Sequence, residues 1–307
     1  MSGLKLIVMK PRINLTQLVA LAFFFSLLMV SSCQKENSQS GSDNQLQINA
    51  SIASSESDGE SASVFNGIFD DVMGVNDEVG LAGTGIFGRT VACPEVTIIR
   101  PNTPNNFPIK MILNFGTNGC VGRDGHLRKG KIITEYTNRL LYPGAMSTTT
   151  FDGFYIDETK VEGTLKITNT SPIITTQPPT RQYTVDVIDS KLIKPNGNYS
   201  EWNSRYVITQ TEGTTTSIPL DDIFKIEGTG HGRVKKADLI VIWESSTIEP
   251  LIKKYSCRWI VKGKIRTVRA NTLATDRWVG VLDFGAGDCD NQAIITINGV
   301  PRQITLP

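Results

Sequence analysis

Short alternations of apolar and polar residues run from Thr84 to the C terminus and are separated by Gly, Asn, Pro and Asp. Ten of these runs are rich in Val, Ile, Thr, Tyr and Phe and predict strands: 96–99, 109–113, 130–136, 160–168, 182–188, 204–210, 237–243, 258–265, 278–282 and 293–297. Helical patterns do not intervene, which argues against a parallel α/β sheet. We therefore predict an all-β body over 81–307 with antiparallel sheets. A sandwich-like pair of sheets, two β-domains and one elongated sheet all remain open.

One stretch has a helical period instead. Val64, Phe65, Ile68, Phe69, Val72 and Met73 form a single apolar stripe at spacings of one, three and four. This predicts one short amphipathic helix, followed by an acidic loop, over 65–80. The oxygen-bearing side chains that continue it (Asp70, Asp71, Asn76, Asp77 and Glu78) do not have the spacing of an EF-hand loop, so a calcium site is the weaker interpretation.

Residues 33–64 are dominated by Ser, Asn, Gln, Glu and Asp, with only scattered apolar side chains. A segment of this composition buries too little surface to offset chain entropy, so we predict a flexible polar tether with a reach of roughly 30 Å. Residues 34–80 hold nine acids and one base, whereas 81–307 hold 27 bases and 21 acids. We interpret the acids as solvated, in preference to an acidic docking element.

The N terminus has the pattern of an export signal. Lys5, Lys10 and Arg12 precede an apolar run over 18–30, and residues 1–32 contain no acid. Thirteen residues give about 20 Å of helix, short of the ~30 Å hydrocarbon core, so cleavage fits better than a permanent span. Met9 is an alternative start for the same signal.

The segment that follows is Val30-Ser31-Ser32-Cys33, which resembles the lipobox of bacterial lipoproteins. The resemblance implies cleavage before Cys33, acylation of its thiol and a membrane partner reached through lipid; an uncleaved anchor is the alternative. Gln34 resembles the pattern of lipoproteins sent to the outer membrane. Gln34-Lys35-Glu36 is also similar to the surface-export signal of lipoproteins from Bacteroidota-type bacteria, and surface and periplasmic exposure both stay open.

Two segments, 93–136 and 257–305, share a motif. Leu113-Asn-Phe-Gly116 and Leu282-Asp-Phe-Gly285 are each followed by three residues and a cysteine, with a glycine ten residues later at Gly130 and Gly299. We interpret this as an internal duplication and expect its copies at opposite ends of the body.

The four body cysteines pair naturally under this interpretation. In an exported protein we expect Cys93 to bond to Cys120 and Cys257 to Cys289, with Cys33 left for lipid. Two other connectivities, four free thiols and a metal cluster are the alternatives, and the lack of a C-x2-C spacing disfavours zinc.

Few residues in the sequence indicate a binding or catalytic function. A net charge of +1 with no long basic run disfavours nucleic acid as a partner. His126 and His231 both lie among glycines, where we expect exposed loops rather than a catalytic base. Asp288, Asp290 and Asn291 read as turn formers rather than calcium ligands.

The remaining candidates are carboxylates and aromatic rings. Glycoside hydrolysis needs a carboxylate pair, but the sequence does not select one from Asp152, Asp157, Glu158, Asp238 and Glu244. Core packing is the preferred role for Trp202, Tyr206, Trp243, Trp259 and Trp278, with a sugar-stacking platform as the alternative and Trp202 as the most exposed.

The sequence thus predicts an envelope-anchored outer-membrane lipoprotein, without a cofactor or metal, that binds a glycan or protein partner or serves a structural role. The catalytic residues of any enzyme activity stay unknown. A secreted-type polysaccharide hydrolase is the alternative function, and a periplasm-facing assembly subunit is a third.

Overall fold

The computed structural model describes residues 37–80, 94–101, 107–121, 125–173, 180–216, 221–270 and 278–306, with helix side chains over 44–73. The chain divides into two compact units, Met1–Gln47 and Ile48–Pro307. Helix α1 spans Asn37–Gly80 and belongs to both units. Within the described residues, no helix is both long and apolar enough to cross a membrane.

The described strands of the second unit form one open antiparallel sheet. Its strands are β1 (Glu95–Ile99), β2 (Ile109–Asn114), β3 (Cys120–Val121), β4 (Leu127–Tyr136), β5 (Met146–Ile156), β6 (Thr159–Asn169), β7 (Arg181–Ile193), β8 (Tyr199–Glu212), β9 (Ile223–Lys236), β10 (Leu239–Lys254), β11 (Ile260–Arg269), β12 (Val279–Ala286), β13 (Gln292–Ile297) and β14 (Val300–Thr305). Strands pair in chain order from β1 to β14, except that β3 lies beside β4 only. The all-β, antiparallel prediction is confirmed, and the architecture is a single sheet.

All ten predicted strands are present, although several are longer than predicted. The sequence analysis missed β3, β5, β9 and β14. β9 carries Gly228, Gly230 and Gly232 at alternate positions and resembles a loop in sequence. Glycine occurs there because a Cβ atom at Gly232 would lie 2.5 Å from the Trp243 ring.

The structure contradicts the predicted tether over 33–64 from Asn37 onward, where α1 begins. Ala50, Ala53, Ser54, Ser57 and other small side chains of this segment are buried. The composition argument failed because a helix with small side chains brings its backbone close to the sheet, and its polar groups find partners there. The helical stripe after Val64 is confirmed, but the helix is much longer than the predicted 65–80.

The sheet curls around α1. Asp70 and Asp71 are consecutive, yet Asp70 pairs with Lys253 on β10 and Asp71 with Arg128 on β4. Six strand-to-strand steps separate β4 from β10, which is about 29 Å in a flat sheet. Two neighbouring carboxylates cannot bridge that distance, so the sheet is concave, and the part of α1 that belongs to this unit lies against its concave face.

Apolar side chains of α1 form the centre of the core. Phe65 packs against Phe151 of β5 and Trp202 of β8, with ring centroids 6.3 and 5.9 Å away. Phe69 lies edge-on to Tyr183 of β7 and Phe224 of β9. Since these rings come from four strands, the helix is an integral layer of the fold.

Candidate functional site

Asp58 of α1 is the centre of a buried polar cluster. Its Oδ1 atom accepts hydrogen bonds from Trp202 Nε1 at 3.0 Å, Trp243 Nε1 at 3.1 Å and Ser245 Oγ at 2.7 Å. The Asp58 side chain has no solvent exposure, and both indole rings are buried. Three donors from two strands therefore converge on one carboxylate oxygen of the helix.

Burial raises the pKa of the Asp58 carboxyl above its ordinary value, because desolvation disfavours the charged form. The hydrogen bonds from Ser245, Trp243 and Trp202 act in the opposite direction. Burial also raises the pKa of Tyr206 well above its usual value, with the Asp58 charge as a further cause. The second carboxylate oxygen, Oδ2, is buried and has no hydrogen-bond partner among the described residues.

A row of small side chains crosses the sheet at this level. Five strands contribute directly opposed residues to the row: Ser204, Gly230, Ser245, Thr267 and Gly280. A Cβ atom at Gly230 would lie 2.9 Å from Ser245 Oγ and from Trp202 Nε1, and one at Gly280 would lie 2.5 Å from Ser55 Oγ. These small residues thus allow α1 to approach the sheet closely.

Two buried ion pairs hold the later part of the helix. Lys253 Nζ lies 2.8 Å from Asp70 Oδ2, and Arg128 Nε lies 2.9 Å from Asp71 Oδ2. The two cationic side chains are each about 3% exposed. Charges buried this deeply require their partners, so the pairs fix the position of the helix between β4 and β10. The calcium interpretation of Asp70 and Asp71 is replaced by these contacts, and the side chains of 76–78 lie outside the described residues.

The predicted bond between Cys257 and Cys289 is present. Cys120 is also disulfide-bonded, while Cys93 and Cys33 lie outside the described residues. The Cys257–Cys289 bond closes the segment that contains the β11–β12 pair.

The two copies of the duplicated motif share one local hydrogen bond. Gly116 N donates to Asn114 Oδ1 at 3.1 Å, and Gly285 N donates to Asp283 Oδ1 at 3.0 Å. Both glycines have positive φ. The later glycines are not equivalent, because Gly130 lies within β4 and Gly299 in the turn between β13 and β14.

His126 joins regions that we expected to lie apart. Its Nδ1 atom lies 2.8 Å from Asp157 Oδ2, and Arg258 Nη2 donates to its Nε2 atom at 3.2 Å. Because a guanidinium only donates, Nε2 is the acceptor and Nδ1 carries the proton. The duplicated segments lie near opposite ends of the strand order, but the curl brings these residues of the two segments into contact. His231 is exposed as predicted, but on the outer face of β9 rather than in a loop.

The predicted carboxylates do not share a buried site. Asp152, Asp157, Glu158, Asp238 and Glu244 are all exposed. Asp152 pairs with Lys131 at 3.2 Å, and Asp157 contacts His126.

The prediction that Trp202 is the most exposed ring is wrong. Trp202 is 1% exposed, and Trp243 is fully buried. Tyr206 is also buried, and Trp259 and Trp278 are partly buried against the core.

No local pattern in the sequence points to Asp58. It lies in a run of Ser, Glu and Gly, and its partners come from residues 144 to 187 positions away. Among the described residues, no group of three or more His, Cys, Asp or Glu side chains is placed to hold a metal ion. Comparisons of the chain with family models, with curated proteins and with solved structures find no match.

Proposed function

We propose that this protein is a lipid-anchored envelope protein with a non-enzymatic binding or structural role. The support for the anchor is the lipobox-like sequence that ends at Cys33. The support for a binding or structural role comes from the way the sheet is filled.

The main support for a binding or structural role is that the protein's own helix occupies the concave face of the sheet. Asp58, the most deeply buried carboxylate of the described residues, accepts hydrogen bonds from Trp202, Trp243 and Ser245 and has no exposure to solvent. The cluster therefore serves to hold α1. The surfaces that remain available to a partner are the outer face of the sheet, the turns and the two edge strands.

The burial of the tryptophans that we considered for sugar stacking gives a glycan partner less support than a protein or membrane partner. A sugar-stacking platform needs exposed aromatic rings, and Trp202 and Trp243 are buried inside the sheet. The hydrolase alternative has less support, because Asp152 and Asp157 are exposed and each contacts a basic side chain of its own.

Mass spectrometry of the mature N terminus, combined with membrane fractionation, tests the anchor. We expect an acylated Cys33 as the first residue, and Cys33→Ser should release the protein from membranes. Ser32→Ala keeps a small residue before the cysteine and serves as the matched control, which should stay bound. An unmodified N terminus, or Cys33→Ser protein that stays on membranes after signal removal, contradicts the anchor.

A screen for polysaccharide turnover tests the non-enzymatic role. We expect no turnover by the purified protein. Turnover that disappears when one carboxylate is replaced would contradict the proposal and restore the hydrolase.

A further inference from the structure

A basic and apolar patch covers the outer face of β7–β10 at the end where β7 and β9 finish. It consists of two rows of directly opposed residues: Ile193, Tyr199, Lys235 and Ile240, then Lys191, Glu201, Arg233 and Ile242. We call these eight residues the Ile240 patch. Their chain neighbours, such as Leu192 and Val241, are buried, so the eight side chains lie on the opposite, outer face.

The patch exposes apolar side chains beside unpaired positive charge. Ile240 is 49% exposed and Ile242 is 43% exposed. Lys191 Nζ lies 4.3 Å from the centre of the Tyr199 ring and forms an ion pair with Glu201. Arg233 and Lys235 form no ion pair with another residue of the described ranges, so the patch has a net positive charge.

We propose that the Ile240 patch docks on the surface of a bilayer that contains anionic phospholipid. Isoleucine and tyrosine side chains enter the boundary between headgroups and acyl chains, while Lys and Arg contact the phosphates. Long basic side chains suit this position because their aliphatic stems lie in the apolar boundary while their charges stay at the headgroups. A purely apolar protein surface would leave the charges of Arg233 and Lys235, directly opposite Ile242 and Ile240, without a partner.

The position of the patch in the fold agrees with a membrane partner. Lys236, the last residue of β9, and Lys194, which directly follows β7, border the patch and pair with Glu56 and Glu60 of α1 at 3.0 Å each. The patch therefore lies at the end of β7–β10 that meets residues 56–60 of α1, whereas Asp70 meets Lys253 at the far end of β10.

The anchor keeps this surface within reach of lipid. Fourteen residues, 34–47, separate Cys33 from Ile48, the first residue of the sheet unit, and α1 covers 37–47 of them. At about 3.5 Å per residue up to Asn37 and about 1.5 Å per residue along the helix, they span at most roughly 30 Å. The docking proposal rests on the proposed anchor, because one acylated residue gives attachment and the patch then sets which face meets the bilayer.

Site-specific fluorescence in the full chain tests the docking. An environment-sensitive fluorophore is attached at Ile240→Cys, and at Ile248→Cys as the matched control. Ile248 is 51% exposed on the same strand, roughly 26 Å away. The protein is bound to phosphatidylcholine vesicles with and without phosphatidylglycerol, and the headgroups carry a quencher. We expect strong quenching at position 240 in anionic vesicles, at least fivefold weaker quenching at 248, and loss of the difference in high salt.

Charge variants separate the patch from the anchor. Arg233→Glu with Lys235→Glu should reduce quenching at position 240 several-fold, whereas Lys225→Glu, on the outer face at the other end of β9, should leave it unchanged. If the protein floats with the vesicles, two results overturn the docking: equal quenching at 240 and 248, or quenching at 240 that does not depend on phosphatidylglycerol. Failure to float with either vesicle contradicts the anchor as well as the docking.

Discussion

Trp243 Nε1 lies 3.1 Å from Asp58 Oδ1, and the two residues are 185 positions apart in the chain. The contact joins the centre of α1 to a strand in the second half of the sheet. Trp202 makes the equivalent contact from β8. The segment that reads as a polar tether in the sequence is therefore held inside the sheet by its own carboxylate.

Loss of the Asp58 carboxylate should destabilise the protein strongly. Asp58→Ala leaves two indole N–H groups and the Ser245 hydroxyl buried without their acceptor, and we expect a loss of about 2–4 kcal/mol in the free energy of unfolding. Urea denaturation followed by tryptophan fluorescence measures it. Glu56→Gln, which removes a partly exposed ion pair two residues away, is the control and should change stability by less than about 1 kcal/mol. Equal losses in the two variants would mean that the Asp58 contacts do not hold the helix.

The Asp58 carboxyl should also make stability depend on pH. Its folded-state pKa is raised by burial above the ordinary value of 3.8, so the folded state binds this proton more tightly than the unfolded state does. The stabilisation is complete below about pH 3.8 and is lost as the pH rises through the raised value. The difference in unfolding free energy between the natural protein and Asp58→Asn should follow that course, and a difference that does not change with pH would contradict the raised pKa.

Gly232 should not accept a side chain. A Cβ atom there would lie 2.4 Å from the Glu201 carbonyl oxygen and 2.5 Å from the Trp243 ring. We expect Gly232→Ala to lower the melting temperature by several degrees, consistent with an overpacking cost of about 1–3 kcal/mol. His231→Ala changes the exposed neighbour on the same strand and should have little effect. A Gly232→Ala protein as stable as His231→Ala would contradict the close approach of β9 to Trp243.

The Lys253–Asp70 pair should contribute far more to the free energy of unfolding than an exposed ion pair does. Asp70→Asn leaves the Lys253 ammonium, whose side chain is about 3% exposed, without its carboxylate, and we expect a loss of about 3–5 kcal/mol. Lys131→Met breaks the exposed pair with Asp152 and should cost less than about 1 kcal/mol. The two variants are compared by chemical denaturation at neutral pH, and similar costs would show that Asp70 is not held by Lys253.

Breaking the Cys257–Cys289 bond should weaken the fold by roughly 3 to 4 kcal/mol, as the loop of 32 residues implies in the chain-entropy model. Cys257→Ser should also leave Cys289 open to alkylation. Alkylation of Cys289 to the same extent in the non-reduced natural protein would contradict the bond.

The strands could be predicted because their signals are local. Runs such as 182–188 and 293–297 combine β-branched residues with a period of two, and they form β7 and β13. The Asx turn at Gly116 and its copy at Gly285 were also visible as a repeated motif. Each of these features depends on a few neighbouring residues.

The contacts of the interior could not be predicted in the same way. Trp202 lies in a polar segment and reads as exposed, yet the alternate residues of β8 face a polar helix instead of solvent. Gly230 reads as a loop residue, yet it makes room for Trp202 and Asp58. The burial of such positions depends on contacts with residues more than a hundred positions away. Local sequence patterns do not contain that information.

Hydrogen exchange of the backbone amides in the natural protein tests most directly whether α1 is part of the fold. We expect amides 50–72 to be protected as strongly as those of β8–β10, and to lose their protection together with them in denaturant. Amides that exchange over 50–64 at the rate of an unfolded chain, while β8–β10 stay protected, would contradict a helix held inside the sheet.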